Sequence, residues 1–367
     1  MDPGRYKEPV ETDTPEVSPG EVALLRLVAQ RLLGPQPAGA AEAVGWMTAL
    51  QAQDAPGVLT SVALRTAARS RPDVQAAMDA GEVVKSWPMR GTLHLVPARD
   101  LRWMLDLAAP RVIAGTTRRH RELGLDAATV DRAGELAVEA LSGGRNLSRD
   151  DLLRTWTQQG LEATGSRGSH LLSTLAMRGL LCFGPAHADR QRVVLLEEWV
   201  PDPRRPERDE ALGEWAERYF RSHGPATVQD LARWTGLTMA DVRTGVALAR
   251  SRLASVDVDG VEHLMDPQTP DLLAGCRRQA EVLLLPGFDE VLLGYADRTA
   301  TLPAAYSERI VPGGNGMFRP TVVAGGQVVG TWRHTGPAAR RTLEATPFTA
   351  FPPDVLAALP EAYAALP

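Results

Sequence analysis

Lysine, cysteine and long apolar runs are scarce in this chain of 367 residues. Lysine occurs only at Lys7 and Lys85, which argues against an enzyme that works through a lysine Schiff base. Cys182 and Cys276 are too few and too isolated for a disulfide framework or a zinc site, so we expect buried thiols and neither a metal nor another cofactor. No segment reaches the roughly 18 apolar residues of a membrane span, and the N-terminus lacks the basic segment followed by an apolar one that is typical of a secretory leader. We therefore expect a cytoplasmic globular protein without a membrane partner.

The formal net charge of −5 is unfavourable for binding nucleic acid, because affinity for a duplex depends mostly on neutralising phosphates. The distribution of charge is more informative than its sum. Six arginines lie between Arg99 and Arg121, whereas the acids concentrate in the N-terminal tail and near Glu207 to Glu217. This stretch predicts a local basic surface on which Arg111, Arg118 and Arg119 contact DNA. The alternative is a solvated helix face.

The first 125 residues predict a tail followed by a compact unit. Residues 1–20 are rich in proline and acid, so they are expected to be disordered because they cannot offset the entropy of ordering. The pattern then predicts a helix ending at Gly34-Pro35, a helix from Ala40 to Gln51, a strand from Val58 to Leu64, a helix from Pro72 to Ala80, and a pair of strands, Val83-Val84 with Leu93–Leu95. Residues 21–125 therefore form a candidate winged helix.

A weak internal repeat predicts two more units of the same kind. Ser148–Arg154 and Thr227–Arg233 each begin with a hydroxyl residue, followed by Asp three positions later. The hydroxyl can accept from the first-turn amides and the Asp favours the helix dipole, so each segment should begin a short helix. A second helix and a hairpin are predicted after each: Ser169–Arg178 with Leu180–Phe183 and Val193–Leu196, then Met239–Ser251 with Leu253–Val258 and Val261–Leu264. Generic helical packing is the alternative.

The remaining segments complete the predicted fold. The prolines of residues 201–206 favour an extended connector between a second unit, residues 126–205, and a third, residues 206–270. Residues 271–367 are expected to be β-rich, with a strand at Val282–Leu285, a hairpin turning at Gly325-Gly326 and a final helix from Pro353 to Ala365. The expected fold class is α+β, with three tandem winged helices and this region forming a concave DNA-binding surface.

Three segments, in this order, are the most specific feature of the chain. They are Gln51-Ala52-Gln53, Trp87–Val96, and Leu285–Glu290 with its continuation through Tyr295 to Arg298. Together they resemble the bacterial winged-helix family that contains the AlkZ and YcaQ DNA glycosylases, and the resemblance extends from about Glu21 to the C-terminal helix. It implies a monofunctional glycosylase that removes bulky N-alkylated purines such as N7-alkylguanine from double-stranded DNA. It also implies unhooking of interstrand crosslinks and self-resistance to a DNA-alkylating natural product.

The family's catalytic signature is Gln, an apolar residue, then Gln or Asp, so the resemblance assigns Gln51 and Gln53 as the catalytic pair in the double-Gln form. Hydrolysis of an N-glycosidic bond passes through an oxocarbenium-like sugar. A Gln amide oxygen can orient water and offer partial negative charge, but it cannot take a proton at neutral pH. Such a weak site is adequate when alkylation has made the leaving base cationic.

The position of the pair in the chain leaves alternatives open. On a regular helix Gln51 and Gln53 would point about 200° apart, so we expect them where a helix opens into a loop. Both amides could instead only cap that helix end. Asp54 is the rival catalytic base, because a carboxylate does this chemistry better. His94, on a predicted strand, is expected in the same cleft, with a purely structural role as its alternative.

The remaining candidates are residues expected to hold DNA. Near the catalytic pair they are Lys85, Arg90, Thr92 and His94. In the C-terminal hairpin they are Arg319, Gly325, Gly326, Gln327 and Arg333. There a narrow glycine turn would enter a groove between arginines that contact phosphates, with a scaffold hairpin as the alternative.

A non-catalytic protein is the rival interpretation of the whole chain. It would be a winged-helix transcription regulator or a protein that sequesters damaged DNA. A regulator needs a recognition helix rich in side chains that read base edges, and Met239–Ser251 offers only Arg243 and Arg250. We therefore favour an enzyme, expected to be a monomer.

Overall fold

The computed structural model describes residues 15–187, 190–276, 282–337 and 340–367. Helices and strands are mixed along the chain. The helices are α1 (Pro19–Ala29), α2 (Ala40–Met47), α3 (Ala55–Ala63), α4 (Arg71–Asp79), α5 (Leu101–Gly115), α6 (Thr117–Glu122), α7 (Ala127–Leu141), α8 (Arg149–Gln158), α9 (Gly165–Met177), α10 (Leu196–Trp199), α11 (Arg208–His223), α12 (Val228–Thr235), α13 (Met239–Ala249), α14 (Thr269–Cys276), α15 (Glu290–Leu293), α16 (Ser307–Ile310) and α17 (Pro353–Ala364). The strands are β1 (Leu50–Gln51), β2 (Val83–Met89), β3 (Thr92–Pro97), β4 (Leu147–Ser148), β5 (Leu181–His187), β6 (Arg190–Leu195), β7 (Ala254–Val258), β8 (Val261–Met265), β9 (Val282–Leu285), β10 (Thr321–Ala324), β11 (Gln327–Thr335) and β12 (Thr342–Pro347). Among the described helices, none has both the length and the apolar character needed to cross a bilayer.

The two predicted hydroxyl caps are present. The Ser148 hydroxyl accepts from the Asp151 amide at 3.1 Å and begins α8. Thr227 and Asp230 form a reciprocal capping box at the start of α12, with the Asp230 amide 3.1 Å from the Thr227 hydroxyl oxygen. Both arrangements satisfy amides that a helix leaves without intrahelical partners, so the repeat predicted two helix starts correctly.

Three sheets organise the strands. The hairpins β2–β3 and β5–β6 join one six-stranded antiparallel sheet of order β1-β3-β2-β5-β6-β4. The hairpin β7–β8 is a separate two-stranded sheet, and β12-β11-β10-β9 is a four-stranded one. The predicted hairpins are therefore confirmed, and those of the first two predicted units share a single sheet.

The main apolar core lies around α5 and α11. Trp103 and Trp215 meet edge to face there with ring centroids 5.4 Å apart, and Tyr219 lies 5.1 Å from Trp234. A fully buried apolar side chain contributes on the order of 2–3 kcal/mol. This core holds α11 and α12 against the six-stranded sheet, which brings α12 close to the candidate site.

Two predicted elements near the site are wrong. The predicted strand from Val58 to Leu64 is helix α3, which begins after Asp54 with a proline in its first turn; Val58 and Val62, four positions apart, share its buried face. The predicted helix from Ala40 to Gln51 ends at Met47, because Thr48 has a φ of 70°. Tertiary pairing then places Gln51 in strand β1.

Residues 15–20, the end of the predicted N-terminal tail, belong to the described fold. The Val17 amide donates to the Asp257 carbonyl at 2.9 Å, so the chain is already attached to β7 before α1 begins. Residues 1–14 of the predicted tail lie outside the described residues. Residues 201–207 contain no helix or strand, as the prolines predicted. Cys182 is buried, as expected, whereas Cys276 is only half-buried.

Candidate active site

Gln51 lies on a strand, not at a helix end. It pairs with His94 of β3. The backbone amide of Ala52 continues the pairing by donating to the Leu93 carbonyl at 2.8 Å. Side chains two positions apart lie on the same side of an extended chain. Accordingly, Gln51 Nε2 donates to Gln53 Oε1 at 2.8 Å. The two amides therefore act as one unit, with Gln51 buried and Gln53 exposed.

Gln51 also has a free acceptor. Its Oε1 is buried and accepts no hydrogen bond from any residue in the described ranges, while its Nε2 is held by Gln53. A buried carbonyl oxygen without a donor is uncommon in folded proteins. The Gln51–Gln53 hydrogen bond therefore orients one amide oxygen so that it can accept from an additional group, such as a water molecule.

A buried carboxylate, Glu290, lies behind the Gln pair. Its Oε1 accepts from the backbone amide of Gln51 at 3.0 Å, and its Oε2 accepts from Trp234 Nε1 at 2.9 Å. Burial alone would raise the pKa of Glu290, but the neighbouring His223, whose Nε2 lies 3.6 Å from Oε2, and the charge of Arg90 contribute to lowering it below its usual range. Glu290 is therefore ionised at neutral pH. It places a negative charge directly behind strand β1.

An ion pair fixes the segment that carries Glu290. Asp289 Oδ1 lies 2.8 Å from Arg65 Nη2 and Oδ2 lies 2.9 Å from Nη1, with both side chains buried. Asp289 also caps α15 by accepting from the Val291 amide at 3.0 Å. Arg65 follows α3 and donates to Gln30 after α1 at 2.7 Å. Bidentate arginine–carboxylate pairs restrict geometry as well as adding energy. The acidic pair, Asp289 and Glu290, is thus fixed to the N-terminal helices.

Arg90 and His94 form the third part of the site. Arg90 and Gly91, with φ of 55° and 68°, make the two-residue turn between β2 and β3. His94 Nδ1 lies 2.9 Å from the Thr92 carbonyl oxygen, which can only accept, so Nδ1 carries the proton and Nε2 accepts from Arg90 Nη2 at 3.2 Å. Burial and the neighbouring Arg90 lower the pKa of His94 to about 3. His94 is therefore neutral and supports Arg90.

Lys85 is not part of this cluster. It pairs with Leu95 on β3 and Phe183 on β5, the row that continues to Leu50. Residues directly opposite each other share one face of a sheet, so Lys85 lies on the face opposite Gln51 and His94. Its ammonium sits 4.8 Å from the Phe183 ring centroid, and burial lowers its pKa to about 8. Its surroundings are those of a packed side chain.

The basic residues of α5 and α6 lie on the surface. Arg111, Arg118 and Arg119 are exposed, and the last two each bind Glu122, at 3.1 and 3.2 Å. A Cβ at Gly91 would lie 3.1 Å from Val112, so Arg111 is adjacent to a residue that packs on the Arg90 turn. Helix α5, which carries Arg111, therefore packs on the Arg90 turn through Val112.

The C-terminal hairpin turn packs against the protein. Gly325 and Gly326 have φ of 56° and 82°, as a tight turn requires. A Cβ at Gly326 would lie 3.0 Å from the Cβ of Ala23 in α1, and the Gln327 side chain donates to the Ala300 carbonyl. Arg319 and Arg333 are exposed at the other end of these strands, and Arg333 binds Glu344 at 2.7 Å. In this turn Gly326 therefore packs on α1, whereas Gly325 stays exposed.

A cavity of about 480 Å³ lies next to the Glu290 cluster. Arg233 and Arg298 line it, together with Phe318 and the glycines that precede it. Arg233 is the neighbour of Trp234, the residue that donates to Glu290. Burial, followed by the charges of Arg233 and Arg90, lowers the pKa of Arg298. The cavity thus has two arginines in its lining, together with Asp297 and Glu308.

Sequence reasoning missed Glu290, Trp234, Arg233 and Arg298 as site residues. Glu290 and Arg298 belong to the third specific segment, whose acidic pair within an otherwise apolar stretch was a usable signal. Trp234 and Arg233 lie in the predicted helix start after Thr227 and carried no separate signal. All three specific segments nevertheless meet at this one site.

Comparison with known proteins places this geometry in a family. The family model described as DNA glycosylase AlkZ-like matches residues 44–366. An interstrand DNA cross-link repair glycosylase from Streptomyces sahachiroi is 30% identical over 303 residues, which cover 80% of this chain and 81% of that protein. The solved structure of the Streptomyces sahachiroi DNA glycosylase AlkZ superposes with a TM-score of 0.81 at 27% identity and covers 96% of both chains.

Proposed function

The chain belongs to the AlkZ-like DNA glycosylase family and is a DNA glycosylase, and we propose that it is a monofunctional enzyme for bulky N7-alkylated purines in double-stranded DNA. Gln51 and Gln53 direct the attacking water in this proposal. The observation that carries it is the hydrogen-bonded pair of amides, in which Gln51 Oε1 is buried and free to accept. This geometry supports the double-Gln form of the family's motif.

The chemistry requires only a weak catalyst. A purine alkylated at N7 is cationic and leaves as a neutral base, so no general acid has to protonate it. The developing oxocarbenium ion needs negative charge and an oriented water. Gln51 Oε1 can orient the water, and the ionised Glu290 adds negative charge behind the strand without touching the substrate. The positive sugar is thereby stabilised mainly through electrostatics.

Two rival bases are less well placed. His94 has both ring nitrogens engaged, by the Thr92 carbonyl and by Arg90, and is buried. Asp54 precedes α3 and lies against Gly57, where a Cβ would come within 2.4 Å of Oδ2. Asp54 makes no hydrogen bond to Gln51 or Gln53 among the described contacts. The pair of amides is therefore the better candidate.

The lack of a suitable lysine supports a monofunctional enzyme. In the described part of the chain Lys85 is the one lysine, and it lies on the opposite face of the sheet. A lyase would need an amine within reach of the sugar to form a Schiff base. Hydrolysis by water, leaving an intact strand with an abasic site, is thus the proposed outcome.

DNA is proposed to bind along tandem winged helices. The order of helix, helix and hairpin in α8–α9 with β5–β6, and in α12–α13 with β7–β8, supports this division, with units at residues 21–125, 126–205 and 206–270. Exposed Arg111, Arg118 and Arg119 would contact phosphates along a concave surface. Crosslinks are included because the Streptomyces sahachiroi relative is named an interstrand DNA cross-link repair glycosylase. Self-resistance to a DNA-alkylating natural product would follow.

The test is base release from a duplex that carries one bulky N7-alkylguanine. Under single-turnover conditions, Gln51→Ala and Gln53→Ala should each slow release by about 10²–10³-fold, the usual loss for one preorganised polar contact. Gln159→Ala, which removes an exposed amide after α8, is the matched control and should release base at the wild-type rate.

Binding and strand cleavage separate the parts of the proposal. The affinity of both variants for undamaged duplex should stay within a factor of about two, because a neutral amide neutralises no phosphate charge. Unchanged release by Gln53→Ala would refute the catalytic assignment. Trapping of a covalent enzyme–DNA complex by borohydride would refute the monofunctional mechanism.

A further inference from the structure

A glycine loop, residues 312–317, protrudes between α16 and β10. Gly313, Gly314 and Gly316 have φ of 62°, 61° and 76°, and no described atom lies within 4 Å of a Cβ at any of them. The loop ends in Met317, whose side chain is 59% exposed, a value that only Leu356 equals among the described large apolar residues. An apolar side chain is therefore presented to solvent by a segment that the rest of the protein does not cover.

The loop lines the cavity next to the Glu290 cluster. Gly314 and Gly316 of the loop and Phe318 directly after it are among the lining residues, as are Arg233 and Arg298. The Arg298 guanidinium lies 5.1 Å from the Phe318 ring centroid. The loop and the two arginines therefore line the same cavity.

Two short chains of contacts connect the loop to Gln51. The Phe318 ring lies 6.0 Å from that of Phe288, which is two residues before Glu290. On the other side Arg233 precedes Trp234, which donates to Glu290 at 2.9 Å. Since Glu290 accepts from the Gln51 backbone amide, the loop that carries Met317 is connected by these contacts to the strand of Gln51.

The loop is anchored, so its tip has a defined position. The Gly313 amide donates to Glu308 Oε2 at 2.9 Å, and the Met317 amide donates to Asn315 Oδ1 at 2.8 Å. Below the tip, the Arg319 amide donates to the Ile310 carbonyl at 3.1 Å. Met317 is thus held by its backbone while its side chain stays free to adapt.

We propose that Met317 inserts into the DNA base stack and fills the space left when the alkylated nucleotide is extruded toward Gln51. This inference rests on the proposed excision from duplex DNA. Extruding a base costs a few kcal/mol of stacking and pairing, and an apolar side chain inserted between base steps recovers part of it. Methionine suits this task because its unbranched, polarizable side chain adapts to irregular surfaces. Arg233 and Arg298 line the same cavity as the loop, where they can approach the phosphates of the extruded nucleotide.

The C-terminal hairpin turn is less suited to this role. Its glycines carry no side chain, and Gly326 is already in contact with α1. Met317 combines exposure, an anchored backbone and the cavity wall. It is therefore a positioning residue that acts on the DNA and not on the reacting bond.

The first test compares paired and unpaired lesions. Met317→Ala should slow single-turnover release of a bulky N7-alkylguanine paired with cytosine by about tenfold or more, and release of the same lesion in an unpaired bulge by about twofold at most, because an unpaired base costs less to extrude. Leu356→Ala, the control of equal exposure on α17, should change neither rate. Met317→Leu should restore most of the activity. Equal slowing of both substrates, or wild-type release of the paired one, would overturn the proposal.

The second test does not require catalysis. We would bind the protein to a duplex that carries a stable abasic analogue next to 2-aminopurine and record the 2-aminopurine fluorescence. Wild type and Leu356→Ala should change the fluorescence on binding, whereas Met317→Ala should bind with much less change. Identical changes for wild type and Met317→Ala would show that Met317 does not insert. This result stands even if N7-alkylguanine proves not to be the substrate, so the two proposals can fail separately.

Discussion

Replacing Glu290 by glutamine should weaken both the fold and the reaction. The carboxylate accepts from the Gln51 amide and from Trp234 Nε1, and it is fully buried. A glutamine has the same shape but only one acceptor oxygen, so one of these two donors would face an NH₂ group. The substitution therefore tests the anchor of strand β1 without creating a cavity.

The size of the effect follows from these contacts. A hydrogen bond to a charged group contributes about 1.5–3 kcal/mol, and the donor left without an acceptor stays buried. We expect the free energy of unfolding to fall by about 2–3 kcal/mol. Because a misplacement of about 1 Å can cost up to roughly 10²-fold in rate, base release should slow by between tenfold and a hundredfold.

The pH dependence of unfolding tests whether the charge of Glu290 stabilises the folded state. The pKa of Glu290 is lowered from its ordinary value of 4.5, so its charge stabilises the folded state above that pH and this contribution is lost as the pH falls through the lowered pKa. Glu290→Gln has no such contribution to lose. The difference in stability between wild type and variant should therefore be largest at neutral pH and should narrow below about pH 4.5.

Urea unfolding followed by tryptophan fluorescence measures the stability, and single-turnover base release measures the reaction. Glu344→Gln is the matched control, because it removes an exposed carboxylate paired with Arg333 and should change stability by less than about 1 kcal/mol. An unfolding midpoint and a release rate that both equal those of wild type would refute the role of Glu290 as the anchor of Gln51.

Three further predictions follow from other contacts. Asp289→Asn should lower the free energy of unfolding by about 3 kcal/mol in urea, since it leaves Arg65 buried without its anionic partner; an unchanged midpoint would contradict this. Base release by wild type should be nearly constant from about pH 6 to 9, because neither amide titrates, His94, with a pKa of about 3, stays neutral, and Lys85, with a pKa of about 8, lies on the other face of the sheet; a sigmoid in that range that persists in Lys85→Gln would implicate an ionising catalyst. Arg111→Gln should reduce the slope of log affinity against log salt by about 0.9, whereas Lys85→Gln, on the other face of the sheet, should leave it unchanged; equal slopes for Arg111→Gln and wild type would remove Arg111 from the interface.

Local signals predicted much of the fold. The Ser148 and Thr227 helix starts, the hairpins and the glycine turn all depend on hydrogen bonds and backbone angles within a few residues. The wrongly predicted elements are those whose secondary structure depends on tertiary contacts. Val58 and Val62 fit a strand or a helix equally well by propensity, and the pairing of Gln51 with His94 joins residues 43 positions apart.

Most residues of the site are already present in the three specific segments, which contain the Gln pair, the Arg90 turn and the acidic pair Asp289-Glu290, whereas Trp234 and Arg233 lie outside them. How these residues meet depends on the tertiary fold. Glu290 reaches the Gln51 amide across 239 positions, a separation at which no local pattern specifies a distance. Lys85 and Gly326 were likewise expected at the DNA interface from local sequence alone. Strand pairing places Lys85 on the face of the sheet opposite Gln51, and Gly326 packs against α1. Each residue type determines the chemistry of its side chain. Which side chains share a site depends on the burial and the strand pairing of the whole folded chain.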